Sequence, residues 1–265
     1  MIATGPADSR WYTLDRCRST NDEAVRLGRQ GAAEGTVVLA RAQTQGRGRQ
    51  GHTWYSPPGE NLYLSVLLRP PGPPARAPLL TLCAGIAVAE ALATEAGAGS
   101  VSLKWPNDVL LAGSDGTPPR KVAGVLLELF TAGARIDFVV VGLGVNLLST
   151  DFPAELRERA TSLRLATGRQ VAPQAFAAPL LACLERWYRA YLTDGPDPIL
   201  RRFAELAPFL SAGAPLAVRS GAHLLRGLPI GLAGDGALLL RNDQGHVERV
   251  LAGEICGAEA AGSGR

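Results

Sequence analysis

The chain has 265 residues and a mass of 27.8 kDa, with 46% hydrophobic and 19% charged residues and a formal charge of +3, a composition that excludes a disordered, fibrous or strongly duplex-DNA-binding polypeptide. Four cysteines (Cys17, Cys83, Cys183, Cys256) lie far apart without a Cys-x-x-Cys pair and three histidines are scattered, so neither a zinc cluster nor a disulfide scaffold is expected and no metal ligand is assigned. The N-terminus carries no basic and apolar leader, which makes the cytoplasm the default compartment, and the most apolar stretch, 77–93, falls short of the roughly 20 residues of a membrane span.

In chain order, residues 21–30 read as a helix, with Thr20 and Glu23 at the spacing of a capping box. Strands are expected at 36–40, 61–68, 101–105, 121–130 and 136–143 from β-branched content and bounding turn residues, and further helices at 75–96 and 173–192. Strands and helices do not alternate cleanly, so the class is α+β, with a mixed, largely antiparallel sheet. Proline-rich pieces at 69–78 and 113–120 read as surface loops. After residue 211 the texture changes: short strand candidates at 215–219, 222–228, 237–241 and 246–251, separated by Gly-Asp-Gly and Asn-Asp-Gln-Gly turns, predict a small all-β barrel. The expected domains are 1–211 and 212–265, with 258–265 a frayed tail.

Of 27 basic residues, only Lys104 and Lys121 are lysine. Where lysine survives such replacement, a compact ammonium is needed that a planar guanidinium does not replace. Lys104 opens Lys104-Trp105-Pro106-Asn107-Asp108, in which Pro106 holds Trp105 extended and turns the chain, so that Asn107 and Asp108 project from a strand end. Lys121 opens Lys121-Val122-Ala123-Gly124-Val125-Leu126-Leu127-Glu128, in which Gly124 leaves room for a ligand beside the strand. Gly46-Arg47-Gly48-Arg49-Gln50-Gly51-His52-Thr53-Trp54 follows a strand, with no helix clearly after it. Its glycines and arginines suit an anion cradle, and on the loop alone a surface loop touching RNA stands level with that reading. The loop, 44–53, is expected to be mobile, its arginines without a counter-charge until a phosphate arrives. Gly142-Leu143-Gly144-Val145-Asn146 ends a strand in glycines and an amide; Ser19-Thr20-Asn21 opens a helix and either caps it or offers polar groups to a ligand.

Together and in this order, from about Ser19 to Leu165, these segments resemble the biotin–protein ligase family (biotin–[acetyl-CoA-carboxylase] ligase), with weaker similarity at Gly253-Glu254-Ile255. Ala160-Thr161-Ser162-Leu163 looks like the family's segment after its adenylate-covering loop, and His52 stands where the family often has a further arginine. The resemblance implies a class II synthetase-like catalytic domain followed by an SH3-like barrel. It implies that biotin and Mg-ATP give biotinyl-5′-AMP, from which a lysine of a biotin carboxyl carrier domain of an acyl-CoA carboxylase takes the biotinyl group. By family position, Ser19, Thr20, Asn21 and Gln43 read the ureido ring, and Arg47, Gly48, Arg49, Lys121 and Gly124 complete the biotin site. Arg49, Trp54, Lys104, Asn107 and Asn146 serve the nucleotide, and Lys121, Arg47, Arg49 and Asp108 the chemistry. Only eighteen residues precede Ser19, too few for the winged-helix DNA-binding domain of some members, so a ligase without a DNA partner is expected, as monomer or homodimer. The rivals are a lipoate–protein ligase, disfavoured by the Gly-Arg-Gly-Arg loop, and an RNA-binding protein, disfavoured by an aromatic content of 6%.

Overall fold

Side-chain alternation along seven strands builds the larger sheet and divides its two faces. β1 (Trp11–Cys17), β2 (Val37–Gln43), β3 (Leu62–Leu68), β4 (Val101–Lys104), β5 (Asp108–Leu111), β6 (Arg120–Ala132) and β7 (Arg135–Val145) lie in the order β1-β2-β3-β7-β6-β5-β4. Only β1 and β2 pair in parallel; the remaining pairs are antiparallel, so the sheet is mixed as expected. The computed structural model describes residues 1–3, 5 and 8–256, and the tail expected at 258–265 lies outside the described residues.

The helices are α1 (Thr20–Arg29), α2 (Pro78–Ala96), α3 (Leu163–Thr167), α4 (Pro173–Thr193) and α5 (Asp197–Leu206). On one face of the sheet, Leu62, Leu64 and Val66 of β3 and Val139, Val141 and Leu143 of β7 join the main core with α2 and α4. On the other, Val38, Leu67, Phe138 and Val140 meet Ala24 and Leu27 of α1. Adjacent positions therefore serve opposite faces, as the two-residue period of a strand requires. The helix expected at 75–96 forms as α2; segment 74–96 would, unlike 77–93 alone, pass as a membrane span by length and composition, but 72% of its apolar window is buried within the protein. Its hydrophobicity is used in packing against the sheet, α4 and α5.

The expected capping box does not form. Ser19 is the N-cap without a side-chain cap bond, and Glu23 accepts a bond from Arg26 Nε at 2.8 Å. The Thr20 hydroxyl points to the sheet, 2.8 Å from Ser65 Oγ. The elements β1, β5, α3 and α5 and the strand at Glu254–Cys256 go beyond the sequence expectations, while no helix follows the glycine-arginine loop, as expected: its Arg49–Gly51 stretch is a tight turn through left-handed Gln50 at φ 53°.

The second sheet contains β8 (Leu216–Ser220), β9 (His223–Leu232), β10 (Leu238–Arg241), β11 (Val247–Val250) and β12 (Glu254–Cys256), in the antiparallel order β11-β10-β9-β8-β12. Val218, Leu238, Leu240 and Val250 belong to the same core as α2, so the two sheets share one apolar interior. Polar links cross between the two parts as well: the buried Trp105 indole donates from Nε1 to the Gly236 carbonyl at 3.0 Å, and Arg49 donates from Nη1 to the Gly253 carbonyl at 3.3 Å.

Candidate active site

The sequence segments singled out above meet on the α1 face of the larger sheet, and strand register explains how. Antiparallel pairing sets Tyr63 opposite Gly144, Gly144 opposite Gly124, Gly124 opposite Asp108 and Asp108 opposite Lys104. The next row holds Ser65, Gly142 and Leu126. Along β7, Phe138 and Val140 fill this face under α1, while Gly142 and Gly144 leave it bare. The bare floor is occupied from above: a Cβ at Gly144 would lie 2.5 Å from Trp54 Cε2, and one at Gly142 would lie 2.9 Å from Asn21 Cγ. These glycines exist for close approach rather than for an unusual backbone.

One end of the site is a set of neutral polar groups. Thr20 N donates to Gln43 Oε1 at 2.8 Å, Gln43 Nε2 donates to Ser56 Oγ at 3.0 Å, and Ser65 Oγ lies 2.6 Å from Asn21 Oδ1. Ser19, Thr20, Asn21 and Ser65 are buried, so each lost water contact is replaced by a protein partner or left for a ligand. The other end is cationic. Lys121 Nζ is 2.6 Å from Asp108 Oδ1 and 5.5 Å from the Trp54 ring centroid. The backbone of Lys121 is clamped by the segment after it in space: its N–H donates to Arg159 O at 2.8 Å and its carbonyl accepts from Thr161 N at 2.9 Å. Asn146 braces that clamp by donating from Nδ2 to Thr161 O at 3.1 Å.

The two loop arginines differ. Arg47 Nη2 is 2.6 Å from Asp22 Oδ1 and 3.0 Å from Glu128 Oε2, which overturns the expectation that both lack a counter-charge before a phosphate arrives. Arg49 donates only to neutral oxygens, Asn107 Oδ1 at 3.2 Å and Gly253 O at 3.3 Å, and makes no ion pair among the described residues. Burial holds its guanidinium below the usual arginine range, opposed by the nearby Asp108 and Glu254 carboxylates. A cation this far desolvated with only neutral acceptors is suited to an incoming anion. Trp54 Nε1 is a further donor, buried without a hydrogen-bond partner.

A cavity of about 440 Å³ joins the two ends, and every residue assigned from the sequence lines it: Ser19, Thr20, Asn21, Gln43, Arg47, Gly48, Arg49, Trp54, Lys104, Asn107, Asp108, Lys121, Gly124 and Asn146. Pro119 and Arg120, at the end of the 113–120 piece read as a surface loop, line it too. Sequence reasoning missed Tyr63 in the lining and Ser65 behind it, and gave no role of their own to Gly142, Leu126 and Glu128 within the segments it singled out. Ser65 left a signal: it is the lone hydroxyl inside the otherwise apolar Leu62–Leu68 strand apart from Tyr63. The arrangement places hydroxyls and amides for a small neutral polar group at one end and two cations for phosphate or carboxylate at the other.

Comparison with known proteins gives a consistent result. A profile described as the biotin/lipoate A/B protein ligase family matches residues 13–146. The chain is 35% identical over 243 residues to the bifunctional ligase/repressor BirA of Bacillus spizizenii, covering 91% of this chain and 72% of that protein. It is 38% identical to the biotin–[acetyl-CoA-carboxylase] ligase of Paracoccus denitrificans, covering 88% and 94%. Among solved structures, the biotin protein ligase of Aquifex aeolicus in complex with biotin and ATP superposes with a TM-score of 0.77 at 28% identity, covering 94% of this chain and 98% of that one.

Proposed function

The chain belongs to the biotin/lipoate A/B protein ligase family, and from that membership and the two-ended cavity we infer that it is an ATP-dependent ligase that activates biotin as biotinyl-5′-AMP and transfers the biotinyl group to a protein lysine. The observation that carries the assignment of parts is the polarity of the cavity: neutral hydrogen-bonding groups at the buried Thr20 and Asn21 and the half-buried Gln43 face one way, and Lys121 and Arg49 stand at the other end. The neutral end takes the ureido ring, which offers N–H donors and a carbonyl acceptor but no charge. The valeryl chain then lies along the bare glycine floor, and its carboxylate reaches Lys121.

In the first step, a carboxylate oxygen attacks the α-phosphorus of ATP and pyrophosphate departs. Two anions are brought together, so the cations that neutralise them contribute most to the rate. Lys121, held by Asp108 and by its clamped backbone, serves the carboxylate and the bridging oxygen; Arg49 serves the α-phosphate. Trp54, Lys104, Asn107 and Asn146 form the nucleotide side. In the second step the acceptor lysine amine attacks the acyl carbon and AMP leaves, its charge again met by Lys121 and Arg49. The acceptor we assign is a carrier domain of an acyl-CoA carboxylase. Among the described residues there is no cluster of three or more His, Cys, Asp or Glu to cage a metal. Mg²⁺ fits as the counter-ion of the ATP phosphates, where such ions keep most of their waters and need one or two carboxylates at most. We place the division between the catalytic unit and the small barrel at residues 211 and 212.

The test is exchange of labelled pyrophosphate into ATP. Biotin-dependent exchange, followed by labelling of a purified carrier domain, is expected. Exchange with lipoate in preference to biotin would move the chain to the other branch of its family, and no exchange with either would overturn the assignment.

A further inference from the structure

Glu128 does not line the cavity, yet its carboxylate touches both the neutral end of the site and the glycine-arginine loop. It lies on the site face of β6, the same face as Gly124 and Leu126. Its Oε2 accepts from Asn21 Nδ2 at 2.7 Å, and Arg47 Nη2 lies 3.2 Å from Oε1 and 3.0 Å from Oε2. Asp22 Oδ1 holds the same Arg47 nitrogen at 2.6 Å. We propose that Glu128 is a positioning residue of the biotin subsite, and that with Asp22 it forms a clasp that docks the Arg47 end of the loop independently of any phosphate. The proposal rests on the reading of the neutral end as the biotin site.

The first half follows from the chemistry of an amide. Asn21 is 3% exposed and could in principle sit in either of two flipped orientations. An ionised carboxylate only accepts, so the side of the amide facing Glu128 must be NH₂. The opposite side faces Ser65 Oγ at 2.6 Å, where the Asn21 oxygen accepts. Glu128, assisted by the Leu126 carbonyl that accepts from the same Nδ2 at a longer 3.4 Å, therefore fixes which edge of the amide is donor and which acceptor, and thereby the pattern offered to a ligand whose own donors and acceptor are fixed.

The second half follows from the inequality of the arginines. Arg47 is neutralised by two carboxylates, whereas Arg49 has only the Asn107 and Gly253 oxygens. One cation anchors the loop and the other is left for the adenylate. Because one carboxylate holds both Asn21 and Arg47, ordering Asn21 over biotin also favours the docked loop. The Arg47 and Asp22 side chains are 43% and 41% exposed, so solvent screens the clasp and its effect is graded rather than all-or-none.

The test uses the full chain carrying Glu128→Ala, Glu128→Gln, Asp22→Asn or Arg47→Met. Two readouts are taken: KM for biotin against kcat in pyrophosphate exchange, and cleavage after Arg49 by an arginine-specific protease without ligand, fragments being identified by mass. Glu128→Ala should raise KM for biotin roughly tenfold with kcat changed by less than about threefold. Glu128→Gln keeps an oxygen for Asn21 and should restore most biotin affinity. Glu128→Gln, Asp22→Asn and Arg47→Met should each speed loop cleavage by about three- to tenfold, the combination of Glu128→Gln with Arg47→Met being no worse than Arg47→Met alone. Unchanged biotin KM in Glu128→Ala, or unchanged cleavage in both Asp22→Asn and Glu128→Gln, overturns the proposal. Asp22 is half exposed, so its variant decides the clasp even where Glu128→Ala fails to fold. The cleavage arm needs no substrate: absence of biotin-dependent exchange in the unsubstituted protein would sink the functional reading while the clasp is still judged by proteolysis.

Discussion

Replacing Gly144 by alanine tests the floor of the site with a single methyl group. Built on the present backbone, that methyl would lie 2.5 Å from Trp54 Cε2, 2.6 Å from Nε1 and 2.8 Å from Cζ2. Ordinary contacts between such atoms are about 3.5–4.0 Å, so roughly 1 Å must be found. β7 cannot supply it, because it is hydrogen-bonded between β3 and β6 in the middle of the sheet. Trp54 must move, and with it the loop, since Trp54 N donates to Gly46 O at 2.9 Å. Overpacking of this kind costs about 1–3 kcal/mol of stability, and a displacement of about 1 Å beside a reacting centre costs about 100-fold in rate. The expected result is a folded protein with kcat/KM for ATP reduced by about 100-fold in pyrophosphate exchange, and biotin affinity by less than about threefold. Gly142→Ala is the control. Its methyl would meet the Asn21 amide, 2.9 Å from Cγ, so it should weaken biotin binding first. Two variants on one strand should thus divide the two substrates between them. Equal effects of both variants on both substrates, or a Gly144→Ala enzyme with normal ATP kinetics, would refute the division of the floor.

Other substitutions probe the cations and the link between the sheets. Lys121→Arg keeps the charge but widens it where a Cβ at Gly124 would already lie 3.2 Å from Lys121 Cε, so adenylate formation should fall by about 100-fold; near-normal pyrophosphate exchange would remove Lys121 from its role. Arg49→Gly should release biotinyl-AMP, because one charge-assisted contact is worth about 1.5–3 kcal/mol, or about 10- to 150-fold in retention. Labelling of an unrelated lysine-rich protein is the readout, and labelling confined to the carrier domain would count against it. Trp105→Phe leaves the Gly236 carbonyl without its donor, at about 1–3 kcal/mol, which calorimetry should detect as about 2–4 °C in Tm per kcal/mol; an unchanged Tm would mean the two sheets do not rely on this bond.

The strands and helices with a strong pattern were legible in the sequence because burial on both faces or on one stripe leaves a run that nothing else explains. β3, fully buried, and α2, buried nearly all round, are of that kind. β1 was not legible because it is an edge strand whose only partner is β2 and whose residues Asp15 and Arg16 interrupt any alternation. β5 spans only Asp108–Leu111, directly after the Pro106 turn, and its register with β6 is long-range information. The capping box failed for a related reason: the local rule competes with a tertiary partner, and Ser65, distant in sequence, takes the Thr20 hydroxyl.

The site was legible in its members but not in its order. Lys104, Asp108, Gly124 and Gly144 come from three separate segments, and only antiparallel register puts them in one cross-strand row. Glu128 shows where local reading ends. A glutamate closing an apolar strand segment looks like an edge charge, and nothing within its own strand says that Asn21 and Arg47 converge on it. The lysine census shows the reverse, a global signal with local meaning. Arginine serves nearly every basic position, yet both remaining lysines line the cavity. At Lys121 the reason is visible: the ammonium sits 2.6 Å from Asp108 and 5.5 Å from the Trp54 ring centroid, over a glycine with no spare volume. A point charge on a thin stem fits between a carboxylate, an indole and a bare backbone, and a planar fork does not. Composition points to that position because the space between these three groups favours a compact cation, which is what Lys121→Arg puts to the test.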